Sequence, residues 1–534
     1  MSRHIRFWLY FLIITNILMF LYILWAPVFS IHGPKKNRGF EGESYGAINL
    51  WTESIQLIEN YYVEPVDEEP LIQEGIQGML SSLDPHSYYL DPEENVDFNE
   101  ETEGAFYGIG ISYEVIDDAI VIITTSEGSP AALSGISPGD RIIKVNGNSV
   151  AHSTYKNLRD QFRGEGGTSL ELELERPGVE GTMAISLVRD LIKVKSIPAA
   201  FMVDSLTAYI RVSSFMETTF NELEKHLRSF EKEGMRRLIL DLRYNGGGLL
   251  DEAIQMAELF LYQGEEIVNT RGRDAGMERV FRAGSEDNFT ELALIIMISH
   301  QTASASEIVA GAIQDWDRGL VVGVRSFGKG LVQQPFPLTN GGAILLTIAK
   351  YYTPAGRLIQ RDFSKGSINY YQEDLDRFQT DTTRSYFYTK GKRKVWGGGG
   401  IAPDYNIHWH DTSQLLTRLS YPENLIVYFA TTYARNHLLL KNDFGFFLNK
   451  YEVSDSVFRQ FIQMAHSKAP AISLETMSNK SDLLKRQIKY AMALFFWGPE
   501  KAWQTILMGH PDLMDVMRYF PRADSLVTAY NLRH

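Results

Sequence analysis

One stretch of this chain, Ser299 to Gln333, gathers hydroxyl, imidazole, carboxylate and amine side chains. These are the groups from which nucleophilic catalysis is assembled. An apolar run, Leu292 to Ile298, enters a turn of small residues, Ala303-Ser304-Ala305-Ser306. A helical pattern follows, with Ile308, Val309, Ala312, Ile313 and Trp316 on one side. A second apolar run, Leu320 to Val324, leads into Ser326-Phe327-Gly328-Lys329-Gly330. Strand, tight turn, helix and strand in that order present a hydroxyl at a helix N-terminus and bring back one amine.

A serine hydroxyl attacks a carbonyl only when a base takes its proton. The hydroxyls around the turn are Ser299, Thr302, Ser304 and Ser306, and the bases within reach by sequence are His300, Glu307 and Lys329. Lysine works as a base only if its pKa falls from about 10.4 to roughly 7–8. Burial achieves this by disfavouring the ammonium, and Phe327, Leu331 and Val332 are suitable desolvating neighbours. Gln333, four residues beyond Lys329, shares its face on a strand or a helix, where a neutral amide orients the amine without recharging it. Glu307 would favour the ammonium, so it is expected to point elsewhere or to cap the helix.

The elements that must position this stretch are α/β in pattern. Ala208 to Val212 reads as a strand, Phe220 to Phe230 as an amphipathic helix and Leu238 to Leu242 as a strand buried on both faces. Arg243-Tyr244-Asn245 then leads into Gly246-Gly247-Gly248, a place for close backbone approach to a ligand, and a helix from about Leu249 to Leu261. The alternation implies a mostly parallel sheet with crossover helices.

Residues from about 100 to 190 differ: short β-branched runs (Ile120 to Thr124, Arg141 to Val145, Leu170 to Glu175) are divided by turn signals such as Asn146-Gly147. Here Gly108-Ile109-Gly110-Ile111 resembles the carboxylate-binding loop of a PDZ domain. Ser129-Pro130-Ala131-Ala132 through Ser137-Pro138-Gly139-Asp140-Arg141-Ile142 resembles the helix and strand that follow it in bacterial PDZ domains. Such a loop converges backbone N–H groups on a terminal carboxylate while the peptide adds to a sheet edge.

Further out, Phe7 to Ile31 is charge-free and nearly all apolar, long enough to cross about 30 Å of hydrocarbon. Arg3 and Arg6 precede it, so a signal anchor with the rest of the chain on the extracytoplasmic side is expected. Tyr45 to about Glu94 is helical in pattern and ends its second run at Leu83-Asp84-Pro85-His86-Ser87, where His86 reads as a turn residue. Leu425 to Leu439 and Asp482 to Trp497 give the tail a helical pattern. A net charge of −14 excludes a general nucleic-acid binder, and the absence of cysteine excludes disulfides and a thiol nucleophile. No P-loop, GxGxxG or metal-ligand spacing is present, so neither cofactor nor metal is expected.

The Ser299–Gln333 stretch is similar to the active-site region of the C-terminal processing (tail-specific) peptidases, a serine–lysine protease family. Ala303-Ser304-Ala305-Ser306-Glu307-Ile308 and Gly323 to Gln333 match its pattern, as do Leu83 to Ser87, Tyr209-Ile210-Arg211, Thr347 to Pro354 and Gly397 to Gly400. The resemblance implies Ser304 as nucleophile, Lys329 as general base and Gln333 as its orienting partner, with Ala305 and Gly246 or Gly247 as oxyanion donors. His300 departs from the polar residue expected there and leaves a serine–histidine alternative. The implied fold is a crotonase/Clp-like α/β core with an inserted PDZ domain. The expected divisions are residues 1–31 (anchor), 32–99 (linker and helices), 100–190 (PDZ), 191–410 (protease core) and 411–534 (helical). The implied function is a membrane-anchored envelope endopeptidase that captures free C-terminal tails on Gly108–Ile111. Expected partners are unfolded or tail-exposed proteins with apolar C-termini, an adaptor protein and a second copy of the chain. The alternative is a non-enzymatic PDZ-containing scaffold.

Overall fold

A computed structural model describes residues 43–116, 119–285, 289–364, 370–371, 385–409, 414–420 and 424–534. The expected anchor, residues 1–31, lies outside them. Among the described residues no helix is long and apolar enough to cross a membrane. The chain divides into two units, residues 1–78 and 79–534. In the first, the helical pattern beginning near Tyr45 is interrupted after the helix Glu43–Tyr61 and resumes at Glu68. A Cβ at Gly75 would come within 2.2 Å of the Trp51 ring, so these two helices meet where the glycine has no side chain.

The α/β core of the larger unit is a six-stranded sheet in the order Ala199–Met202, Thr207–Arg211, Arg237–Asp241, Ala293–Ile298, Leu320–Gly323, Tyr405–Asn406. Only the first pairing is antiparallel. Both faces are covered, which is why the central strands read as continuous apolar runs. Leu294, Ile296 and Ile298 pack on the side of Leu223, Leu227, Ile308 and Val309. Ile295 and Met297 face the C-terminal helices through Leu513, Val516, Phe520 and Val527. A second sheet straps across this core: Ala343–Tyr352 pairs with Tyr88–Leu90, Glu266–Gly272 and Leu331–Pro337.

The PDZ fold is a five-stranded antiparallel path from Ile111–Ile116 to Thr182–Val188, closed over Ile120, Ile142, Leu158, Leu172 and Leu174. The chain enters and leaves it through one paired ribbon, Ala105–Gly108 with Asp190–Lys193. Its outer face carries Ile116, Val121 and Ile123, which pack on Val427, Tyr428 and Leu494 of the C-terminal helices Leu425–Arg435 and Ser481–Trp497. Those helices have their own core around Phe429, Phe447, Phe461 and Met492. The tail is therefore a helical layer that touches both the PDZ fold and the six-stranded sheet.

Val121 is 2% exposed at the seam between PDZ and tail. Val121→Asp would bury an unpaired carboxylate there, and about 3 kcal/mol of stability should be lost. Thermal melting and limited proteolysis read the effect; unchanged melting and protease resistance would contradict the seam.

Candidate active site

Four backbone turns converge on the residues singled out by sequence. Ser304 stands at the N-terminus of the helix Ala305–Asp315 with φ 55° and ψ −117°, a conformation that non-glycine residues hold only under restraint. The restraints are visible. The Ala303 N–H donates to the Asn245 carbonyl at 3.0 Å, and the Ser304 N–H donates to Glu307 Oε2 at 2.9 Å. The Tyr351 hydroxyl lies 3.0 Å from the Ser304 carbonyl oxygen.

The four hydroxyls that sequence left equivalent are separated by burial and partners. Ser299 is buried, its Oγ accepting the Tyr244 N–H at 3.0 Å. Thr302 is fully buried and donates to the Leu242 carbonyl at 2.8 Å. Ser306 is fully buried and donates to the Asn245 carbonyl at 3.1 Å. Each of these fastens a strand end. Ser304 alone of the four is partly open to solvent.

Lys329 lies just before the strand Leu331–Pro337 and donates through Nζ to Gln333 Oε1 at 2.5 Å. The Gln333 amide is in turn oriented by its Nε2, which donates to the backbone carbonyl of His86. Burial pushes the Lys329 amine below the usual lysine range, against the opposing pull of Asp84 and Glu307. Lys329 and Ser304 are tied through shared partners. Glu307 Oε2 also accepts the Lys329 N–H at 2.9 Å, and the Tyr351 hydroxyl also lies 2.5 Å from the Lys329 carbonyl. Glu307 Oε1 takes the Ser326 hydroxyl and the Gly328 N–H at 2.5 and 2.7 Å. Glu307 thus caps the helix, as expected, and is fully buried. Burial pushes its carboxyl up to about 7, with these four donors opposing.

The glycine turn reaches the same place. A Cβ on Gly247, whose φ is 108°, would come within 2.8 Å of Ser304 Cβ, so only glycine allows this approach. The Gly247 N–H donates to Asn245 Oδ1 at 2.9 Å, whereas Gly246 is exposed and its N–H has no hydrogen bond among the described residues. Of the two glycine donors expected, Gly246 is the one left for a ligand. Ala305 opens the helix, so its N–H belongs to the first turn, which has no intrahelical acceptor.

His300 does not join them: its Nδ1 bonds the Arg325 carbonyl at 3.0 Å. His86 matters more than its turn position suggested. Its Nε2 meets the Tyr370 hydroxyl at 2.8 Å, its ring packs edge-on against Phe327, and its carbonyl holds Gln333. Burial and then the Lys329 charge lower its pKa to about 4, which leaves the ring neutral. Asp84 and Ser87 pin this turn to Thr347 of the strap sheet. Sequence reasoning missed the roles of His86, Asn245 and Tyr351; the Leu83–Ser87 motif was the available signal for the first.

In the PDZ fold, Gly110 has φ 74°, and a Cβ there would come within 2.3 Å of Ser129 Cβ. The Ile109 and Gly110 carbonyls accept the N–H groups of Ala131 and Ser126, while their own N–H groups have no hydrogen bond among the described residues. The strand Ile111–Ile116 is an edge. Tyr155, opening the helix Tyr155–Phe162, donates to Glu114 at 2.9 Å and accepts the Val115 N–H at 3.4 Å. Among the described residues no group of three or more His, Cys, Asp or Glu is placed to hold a metal ion.

The pattern of peptidase family S41 matches residues 206–363, that of the PDZ domain residues 121–176, and that of the activating protease CtpB N-terminal domain residues 14–109. A carboxy-terminal-processing protease of Bartonella bacilliformis is 39% identical over 324 residues, covering 60% of this chain and 74% of that one. The carboxy-terminal processing protease CtpA of Bacillus subtilis is 37% identical over 316 residues, covering 59% and 67%. A solved photosystem II D1 C-terminal processing protease is 24% identical, covers 67% of this chain and 92% of that one, and superposes with a TM-score of 0.36. The chain belongs to the C-terminal processing peptidases of family S41. It is a PDZ-containing serine-type peptidase of carboxy-terminal processing type, which sets aside the scaffold alternative.

Tyr351 is 1% exposed and serves two backbone carbonyls. Tyr351→Phe should therefore lower stability by about 1–3 kcal/mol, seen in chemical denaturation, and should reduce turnover as the two loops lose their common donor. A variant with wild-type stability and turnover would contradict that role.

Proposed function

We propose that Ser304 is the nucleophile, Lys329 the general base and Gln333 its orienting residue in cleavage of proteins captured by their C-terminal tails. The observation that carries this reading is the Lys329 amine: buried, lowered in pKa, fixed on Gln333, and tied through Glu307 and Tyr351 to the backbone of the one accessible hydroxyl.

The neutral amine takes the Ser304 proton as Oγ bonds to the scissile carbonyl carbon. The resulting oxyanion receives the N–H groups of Ala305 and Gly246. Collapse breaks the C–N bond, and the Lys329 ammonium donates its proton to the leaving amine, giving an acyl-enzyme. Water, deprotonated by the same amine, releases the new carboxylate and restores the serine. No step requires a metal or a nucleotide. The substrate's own terminal carboxylate is received on Gly108–Ile111, where the Ile109 and Gly110 N–H groups are available. Residues 1–31 anchor the chain in the cytoplasmic membrane with its catalytic part outside, and substrates, an adaptor and a second copy of the chain are the partners. The N-terminal hydropathy and flanking arginines support the anchor.

Ser304→Ala and Lys329→Ala should each abolish cleavage of an unfolded substrate with a free apolar C-terminus; wild-type rates in both would end the reading. The base must be neutral, so kcat/KM should rise with pH through the Lys329 pKa and level off above it. Because that pKa is lowered, the limb should lie below the ordinary lysine range of about 10.4. Gln333→Ala should slow turnover at the plateau, and an unchanged plateau rate would remove it from the mechanism.

Strand addition at Ile111–Ile116 requires Tyr155 to leave the Val115 N–H. Tyr155→Phe in the Ser304→Ala protein should therefore bind a tail peptide several-fold more tightly by fluorescence anisotropy. Equal or weaker binding would show that the tail does not use this edge.

A further inference from the structure

Beneath the glycine turn lies a buried cluster of charges that the reaction itself does not use. Asp241 ends the strand Arg237–Asp241 and is fully buried. Its Oδ2 receives the Arg211 guanidinium at 3.1 Å, Arg243 Nη2 at 2.8 Å and the Tyr209 hydroxyl at 2.5 Å. Burial alone would raise its pKa, but Arg243 and Arg211 hold it at about 2. Two guanidiniums against one carboxylate leave a buried excess of one positive charge, an arrangement that is strongly unfavourable without a partner. The partner comes from the far end of the chain. Arg243 Nη1 donates to Asp512 Oδ2 at 2.9 Å, and Asp512 is 2% exposed in the helix Pro511–Met517. His510 lies beside it, its Nδ1 accepting the Asp512 N–H at 3.1 Å.

The cluster is wired to the turn by backbone. The Arg243 N–H donates to Asp241 Oδ1 at 2.9 Å, and its carbonyl accepts from Arg211 Nη2 at 3.3 Å. The next residue, Tyr244, takes the strained φ of 65° that redirects the chain into Asn245-Gly246-Gly247. Trp409 stacks on Arg243 at 4.4 Å and Trp503 on Arg211 at 4.5 Å, both outside the residues matched to family S41.

We propose that Asp512 is a positioning residue for the oxyanion turn. Acting through Arg243, it fixes the backbone from Tyr244 to Gly247, so the C-terminal helical segment completes the catalytic apparatus. The inference rests on the reading that the Gly246 N–H stabilises the oxyanion formed by Ser304. Loss of the Asp512 charge leaves the two buried guanidiniums one carboxylate short, so Arg243 rearranges on Asp241 and the turn shifts with it. A displacement on the order of 1 Å at such a donor reduces turnover about a hundredfold.

The test uses the full-length protein with a tailed peptide substrate and a peptide aldehyde, which forms a tetrahedral hemiacetal on the serine. Asp512→Asn and Asp512→Ala should lower kcat about 10- to 100-fold with KM little changed. They should weaken aldehyde inhibition in parallel, while tail binding by the matching variants in a Ser304→Ala background stays at the control value. Lower melting temperature with wild-type kcat and aldehyde affinity below the transition would mean a purely structural role and overturn the proposal. If the Asp512 variants do not fold, Arg243→Lys, which keeps the charge but loses the fork, should show the same kcat-selective defect. A wild-type kcat in that variant overturns the proposal equally. Full cleavage by Ser304→Ala alone would instead overturn the reading on which it rests, a result distinguishable from any of these.

Discussion

One buried carboxylate holds the site together. Glu307 accepts the backbone N–H groups of Ser304, Gly328 and Lys329 and the Ser326 hydroxyl, so a single side chain fixes the helix N-terminus and the lysine loop at once. An acid so close to a basic amine would ordinarily hold it charged. Both groups nevertheless move toward neutrality, the carboxyl upward to about 7 and the amine downward. The carboxylate opposes the shift of the amine, and four hydrogen-bond donors oppose that of the carboxyl, so desolvation is the larger effect on both. Glu307 can serve as an anchor because the same dry surroundings that disfavour its charge also disfavour the ammonium.

That dryness is assembled from remote segments. Tyr351 comes from the long strand of the strap sheet, His86 from the turn leading into its edge strand, and Phe327 from the lysine loop. Tyr370 closes over His86 and Phe327, while Arg361 reaches the Tyr370 and Phe327 carbonyls at 2.7 and 2.6 Å. The protease sheet supplies direction, since Ser304 and the glycine turn both follow C-terminal ends of adjacent parallel strands. The strap supplies exclusion of water. Neither layer alone buries the Lys329 amine.

Much of this was legible in the residues. The continuous apolar runs at Leu238 and Leu292 mark central strands because both sheet faces are covered, and the β-branched alternation from 119 to 175 marks the PDZ strands. The choice among four hydroxyls was not legible, because Ser299, Thr302 and Ser306 differ from Ser304 only in what buries them and which carbonyl or amide they meet. Nor could spacing show that Asn245 occupies the Gly247 N–H and leaves Gly246 available. His86 reads as a turn residue because its useful atom is its backbone oxygen, a group that every residue carries. Pairings such as Arg243 with Asp512, separated by 269 positions, exist only once the tail has packed on the sheet.

The tail also joins two regions that the family resemblance treats separately. Leu494, near the end of one helix, packs on the outer face of the PDZ strands. Gly498, with φ 83° and ψ −175°, ends that helix and starts Pro499–Leu507, where Trp503 stacks on Arg211. Asp512 follows on the next helix. A packed interior transmits displacement because it has little void into which to relax. The PDZ seat and the brace of the glycine turn are therefore carried on one continuous segment, with a glycine as its joint. A shared segment couples the two only if a bound tail favours one arrangement of that joint over another. The paired ribbon Ala105–Gly108 and Asp190–Lys193 is a second attachment, and Arg159 and Arg163 of the PDZ fold reach Asp97 and Glu100 of the helix Pro92–Glu103 at a third, so any movement of the PDZ fold must strain at least one of these contacts.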